Sequence, residues 1–155
     1  MGGSYSPYVY ASADPILYID PFGLCWIYYQ STGTMLHVDA NGYADYAATG
    51  YAGIGAGLNN PAMQNVDSTG PLPQGGYTIQ AQQDNVTAGV HGHRLPASMR
   101  LTPNPGNQMY GRAGFLIHGP HANDHQDSSN GCPVFAKNVR DKIGDSGDNC
   151  LQVMP

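Results

Sequence analysis

Residues 115–135 read FLIHGPHANDHQDSSNGCPVF. A short apolar run stops at His118 and Gly119, three histidines fall within eight residues, and a cysteine follows directly on a glycine. Three readings compete for this stretch: a metal site, a Cys/His catalytic pair, or a polar loop without chemistry. His118, His121 and His125 are spaced three and four apart, which on a helix would set them on one face like a zinc motif. Gly119, Pro120, Asn123 and Asp124 intervene, and such a run does not hold a helix. The helical zinc reading loses its geometry, and His121 and His125 read as solvated loop residues. A loop-built site using Cys132 or the His91-Gly92-His93 segment is the lesser alternative, and no metal ligand is assigned.

His118 differs from its neighbours because it closes an apolar strand. A side chain at the end of a buried strand is held rigidly and can face a cleft, which is where a base must sit. Cys132 comes fourteen positions later, behind Gly131, a residue that permits unusual torsions and close approach of a substrate. A thiol is largely protonated at neutral pH, and an imidazole that takes its proton turns it into a strong nucleophile. Strand, histidine, loop and Gly-Cys therefore give base and nucleophile an architecture in which they meet. A structural buried cysteine is the competing reading.

The rest of the chain sets the frame. With 155 residues, 41% hydrophobic and 11% charged, it is long enough for one core and too short for two. The 21 Gly, 12 Pro and 11 Tyr favour strands and ordered loops over a helical bundle. A mainly β architecture follows. Net charge is −5, and the six Lys and Arg are scattered along the sequence, which argues against nucleic acid or an anionic membrane as the main partner. No run approaches the roughly 20 apolar residues that span a bilayer, and the N-terminus lacks a signal-peptide pattern. Three cysteines leave at least one thiol free unless another chain is involved. Cys25 and Cys150 are expected as two free, partly buried thiols, with a disulfide between them as the alternative.

Along the chain, CWIYYQ and TMLHVD flank Ser31-Thr32-Gly33 as a hairpin. Residues 41–60, rich in Gly and Ala with three tyrosines, cannot build a core of their own and read as a loop. A strand is expected after the turn at 71–76, another at SMRLTP, and a buried one in RAGFLIHG ending at His118. Val139 and Ile143 at helical spacing mark a short helix with Gly144 as its stop, and CLQVM is a last strand.

Two resemblances add to these readings. In residues 1–24, Pro15, Asp20, Pro21, Gly23 and Leu24 resemble the motif that closes the Rhs core, where the shell ends and a variable toxin begins. That resemblance implies a boundary at 24/25, self-cleavage of the full core after Leu24 with Asp20 as a processing residue, and an Rhs shell as partner. GRAGFLIHG followed by SSNGCPVF resembles the L,D-transpeptidase catalytic motif. The blocks YYQSTGTM, NNPAMQN, GPLPQGGYTI, NPGNQMYGRAGFLIHG and KNVRDKIGDSGDN resemble, in order, the type VI secretion L,D-transpeptidase effectors over roughly residues 27–155. Asn130 stands where many L,D-transpeptidases have His, and Pro133 where a branched aliphatic residue is common.

The resemblance implies an L,D-transpeptidase-like β-sandwich with one short C-terminal helix in residues 25–155. It implies a toxin delivered by a type VI system to the target cell's periplasm, acting on peptidoglycan stem peptides and guarded against by a cognate immunity protein. Cys132 is the expected nucleophile and His118 the expected base. The N–H groups of Gly131 and Cys132 are the expected oxyanion donors, and Ser129 is expected to orient the histidine or bond the turn. Arg112 is a candidate to hold a substrate carboxylate, and Tyr51, with Tyr43 and Tyr46, to line the cleft or anchor a loop. No cofactor is implied. A cysteine amidase or endopeptidase acting on another wall bond, and a non-catalytic interaction module, are the alternatives.

Overall fold

The structure, a computed structural model, describes residues 25–87 and 92–155. Asp20, Leu24 and the whole Rhs-like junction lie outside the described residues, as does His91. In chain order the elements are β1 Cys25–Tyr29, β2 Thr34–Val38, β3 Ala44–Thr49, β4 Gly75–Ile79, β5 Gln83–Val86, β6 Arg94–Pro103, β7 Leu116–Ile117, α1 Lys137–Asp145 and β8 Cys150–Met154. The fold is mainly β with one short helix near the C-terminus, as expected. The strands make one curled sheet in the order β3-β2-β1-β8-β4-β6-β5, with β7 paired to β6.

Alternation along the central strands explains this arrangement, since successive side chains point to opposite faces. In β1, Trp26 and Tyr28 are fully buried, and in β8 Leu151 and Val153 are buried between less buried neighbours. The two strands run parallel with Trp26 opposite Leu151 and Tyr28 opposite Val153. Tyr77, Met99, Ile117 and Phe135 extend this core, and α1 lays Val139 and Ile143 upon it. The expected β1–β2 hairpin forms, with Gly33 N donating to Tyr29 O at 2.9 Å.

Three expectations change. Cys25 and Cys150 are not free thiols: they form a disulfide, Cα–Cα 4.9 Å, 125 positions apart. The parallel β1–β8 register places them side by side, which spacing alone does not reveal. Residues 41–60 are not all loop, because 44–49 pair with β2 as β3; the segment borrows its order from a neighbour. Helix α1 runs through Gly144 to Asp145, and the chain leaves it by Gly147 at φ 79°. Among the described residues no helix is long and apolar enough to cross a membrane.

Candidate active site

The strand expected to end at His118 is shorter, Leu116–Ile117, so His118 sits one residue past β7, where its backbone bridges to Val134 in parallel. His118 N donates to Pro133 O at 3.1 Å and Phe135 N to His118 O at 2.9 Å. The segment after the cysteine is thereby tied to the histidine strand. Leu116 N donates to Cys132 Sγ at 3.4 Å, which fixes the partly buried thiol against the same strand. Both side chains line one cleft of about 1050 Å³.

His118 is 6% exposed, and its Nδ1 lies 2.9 Å from Gly119 O. A carbonyl only accepts, so Nδ1 carries the proton and Nε2 is left as the basic nitrogen. Burial pushes the His118 pKa down, the Gly119 bond opposes this, and the Arg140 charge adds to the depression. The imidazole is therefore neutral at neutral pH. Burial raises the Cys132 thiol, partly offset by the Leu116 N–H and the Arg112 charge. Both shifts favour the neutral thiol and the neutral imidazole in the cleft that the two side chains share.

Ser129, 1% exposed, bonds the turn and not the histidine. Its Oγ donates to Cys132 O at 2.6 Å and accepts from Gly131 N at 2.9 Å and Gly53 N at 3.0 Å. One hydroxyl so closes the Gly-Cys turn and fastens it to the 50s loop. The expectation that Gly131 N–H faces an oxyanion is corrected, because that donor is already engaged by Ser129. Gly131 serves through its backbone instead: φ is 135°, and a Cβ would collide with the Arg112 guanidinium and stand 3.0 Å from Gly70 O. The N–H of Cys132 makes no hydrogen bond among the described residues.

Arg112 also departs from expectation. It is buried, with Nη1 donating to Gln64 O at 2.6 Å and Pro71 O at 2.8 Å, and Nη2 to Gly70 O at 2.9 Å and Asn130 O at 3.3 Å. All four terminal N–H groups are engaged by backbone carbonyls, so a bidentate grip on a substrate carboxylate is not available. The guanidinium stacks 5.1 Å over Phe115 and clamps the 64–71 loop to the Gly-Cys turn. Tyr51 is likewise an anchor and not a lining residue: its hydroxyl donates to Asp124 Oδ1 at 2.5 Å and accepts from Ser128 N at 3.2 Å. Tyr43 is 72% exposed, and Tyr46 packs edge-on to Trp26.

His125 is exposed, as expected, and His121 stands at the cleft rim 2.9 Å from Asp127 Oδ1. His121, Asp124 and Asp127 bring ligand atoms within 4.8 Å of one another. Asp124 is engaged by Tyr51 and Ser128, and Asp127 by His121. These bonds hold the loop between the histidine and the cysteine.

Residues 46–148 match the family model described as the Tlde1 domain. This chain belongs to that family. Tlde1 is a type VI effector family. The fold is similar to that of the carbamoyl enzyme formed by Ldtfm with avibactam, with a TM-score of 0.61 at 12% identity over 99% of this chain and 57% of that one. It is equally similar to a cysteine-to-serine mutant of the Enterococcus faecium L,D-transpeptidase, at TM-score 0.60, 12% identity and the same coverage. The NMR structure of the Enterococcus faecium catalytic domain matches at TM-score 0.54 and 12% identity, over 86% of this chain and 98% of that one. The chain thus spans 57% of the length of the two larger structures. No curated protein sequence matches it.

In this Tlde1 domain one cleft residue escapes the sequence reading. Arg140, on α1, is 6% exposed and lines the cleft beside His118 and Gly119. The signal is present in the sequence: Arg140 lies one residue after Val139 and three before Ile143, on the apolar face of the helix. A charged residue on a core-facing stripe is the informative exception.

Proposed function

We propose that this domain is a cysteine L,D-carboxypeptidase/L,D-transpeptidase that acts on peptidoglycan stem tetrapeptides as an antibacterial toxin. The observation that carries the reading is the pairing, in one cleft, of a Gly-Cys thiol fixed by Leu116 N–H with a histidine whose free nitrogen is Nε2. Membership of an effector family and the L,D-transpeptidase-like fold support it.

Cys132 Sγ attacks the carbonyl carbon of the amide between the third stem residue and the terminal D-Ala. Its proton passes to His118 Nε2, which then delivers it to the departing amine. The oxyanion takes the Cys132 N–H, the one donor of the turn left over once Ser129 has engaged Gly131 and Pro133 has none to give. Collapse expels D-Ala and leaves a thioester on Cys132. Water then completes a carboxypeptidase cycle, and a free D-amino acid completes an exchange cycle, with His118 as the base in both. Hydrolysis removes the tetrapeptide donors on which L,D-cross-linking depends, and exchange replaces their terminal residue.

The Cys25–Cys150 disulfide supports action in an oxidising compartment, the target periplasm. The pattern at 15–24 supports an Rhs shell as the carrier, and a toxin so carried calls for a cognate immunity protein in the producer. Mass spectrometry of tetrapeptide-rich muropeptides tests the reading. Tripeptides or D-amino-acid-exchanged tetrapeptides are expected, absent with Cys132→Ala. Cleavage at another amide would replace this reading with that of a different wall hydrolase.

A further inference from the structure

Four of the chain's six cationic side chains, Arg94, Arg112, Lys137 and Arg140, line this cleft, although the chain carries a net charge of −5. Three of them are accounted for. Arg94 pairs with Asp84 and Lys137 with Asp141, while Arg112 is engaged at both terminal nitrogens by four carbonyls and keeps only its Nε, 4.0 Å from Asp67 Oδ1, without a hydrogen-bond partner. Arg140 is the exception. Its Nε donates to Ala97 O at 3.0 Å, Nη1 to Phe135 O at 2.7 Å and Nη2 to Pro96 O at 3.4 Å. A guanidinium has five N–H groups, so Nη1 and Nη2 each keep one unengaged. Among the described residues no carboxylate comes within 4.0 Å of it, and Asp141, the one carboxylate whose charge it feels, is already bonded to Lys137 and Gln82. A buried cation without an anion is costly, and two adjacent guanidinium nitrogens match a carboxylate.

Position identifies which carboxylate. The guanidinium packs on Gly119, where a Cβ would stand 2.9 Å from Cζ and 3.0 Å from Nη2. Gly119 follows His118, the group that hands a proton to the departing amine. In a terminal D-amino acid the carboxylate is one carbon from that amine, so it lies near His118, and Arg140, packed on the next residue, is the cleft cation beside it. We propose that Arg140 binds the terminal carboxylate of the leaving D-amino acid and so selects chain ends over internal amide bonds. The inference rests on the L,D-carboxypeptidase/L,D-transpeptidase reading and adds to it the residue that sets its specificity. By reversal, the same cation receives the carboxylate of an incoming free D-amino acid. Gly119 is required because any side chain there would displace the guanidinium.

Calorimetric binding of a stem tetrapeptide to the Cys132→Ala protein, as free acid and as C-terminal amide, tests this without turnover. The free acid is expected to bind about tenfold tighter or more, the worth of a charge-assisted hydrogen bond. Arg140→Gln should abolish the preference, and Arg140→Lys should keep part of it. Arg140 also braces three carbonyls, so a second arm uses the unaltered protein: D-alanine, and not D-alaninamide, should slow alkylation of Cys132. Equal binding of acid and amide, or a preference that survives Arg140→Gln, overturns the proposal while the peptide substrate stands. Binding of neither peptide overturns the substrate reading as well.

Discussion

The Gly119 carbonyl decides how His118 works, because it forces the proton onto Nδ1 and leaves Nε2 basic. Burial first, then the Arg140 charge, holds the imidazole pKa below the ordinary 6.5. The neutral base therefore persists below pH 6.5, and kcat/KM for the tetrapeptide should fall only as pH drops further. A pH–rate profile whose acid limb sits above 6.5 would contradict this. That Cys132 and His118 share a cleft was legible in the sequence, because a strand end and a Gly-Cys turn are local signals. Arg112 was misread because a guanidinium looks the same in sequence whether it meets a substrate or four carbonyls. Ser129 was half legible: nearness gave the turn, but only the fold gives Gly53 N as its third partner.

At the scale of elements, the sheet is fastened at its centre. The Cys25–Cys150 disulfide closes a loop of 125 positions between β1 and β8. Reduction should lower stability by about 2–5 kcal/mol, measured as a shift of the urea midpoint with and without reductant. An unchanged midpoint would mean that the parallel strands hold without it. Nearby, His37 on β2 lies 2.7 Å from Asp45 on β3 and 2.5 Å from Asp148 before β8. Burial pulls the His37 pKa down, but hydrogen bonds and charge from both carboxylates outweigh it, and the net shift is upward. Its folded pKa lies above the unfolded one, so its contribution is full below about pH 6.5 and is lost as pH rises through the folded value. Denaturation midpoints should fall over that window, and His37→Gln should flatten the fall. Strands with clean alternation were legible, whereas β3 and β5 were not, since each owes its order to pairing with a neighbour.

The whole chain is acidic, yet four of its six Lys and Arg line the cleft, against two Asp, a concentration that the proposed anionic peptide substrate would meet. Composition foretold a mainly β domain, yet not its topology. The β1–β8 pairing joins the two ends of the described chain, and contacts of that range leave no periodic trace in sequence. The cleft is assembled from the start of β6, β7, the 119–132 loop, the 64–71 loop and α1, which no single segment announces. The central claim is that this assembly breaks one bond by a thioester on Cys132. The most direct measurement follows release of isotopically labelled D-Ala from a tetrapeptide labelled only in that residue. The account predicts one labelled D-Ala for each tripeptide formed or tetrapeptide exchanged, and none with Cys132→Ala. Label retained on every product, or released equally by Cys132→Ala, would contradict it.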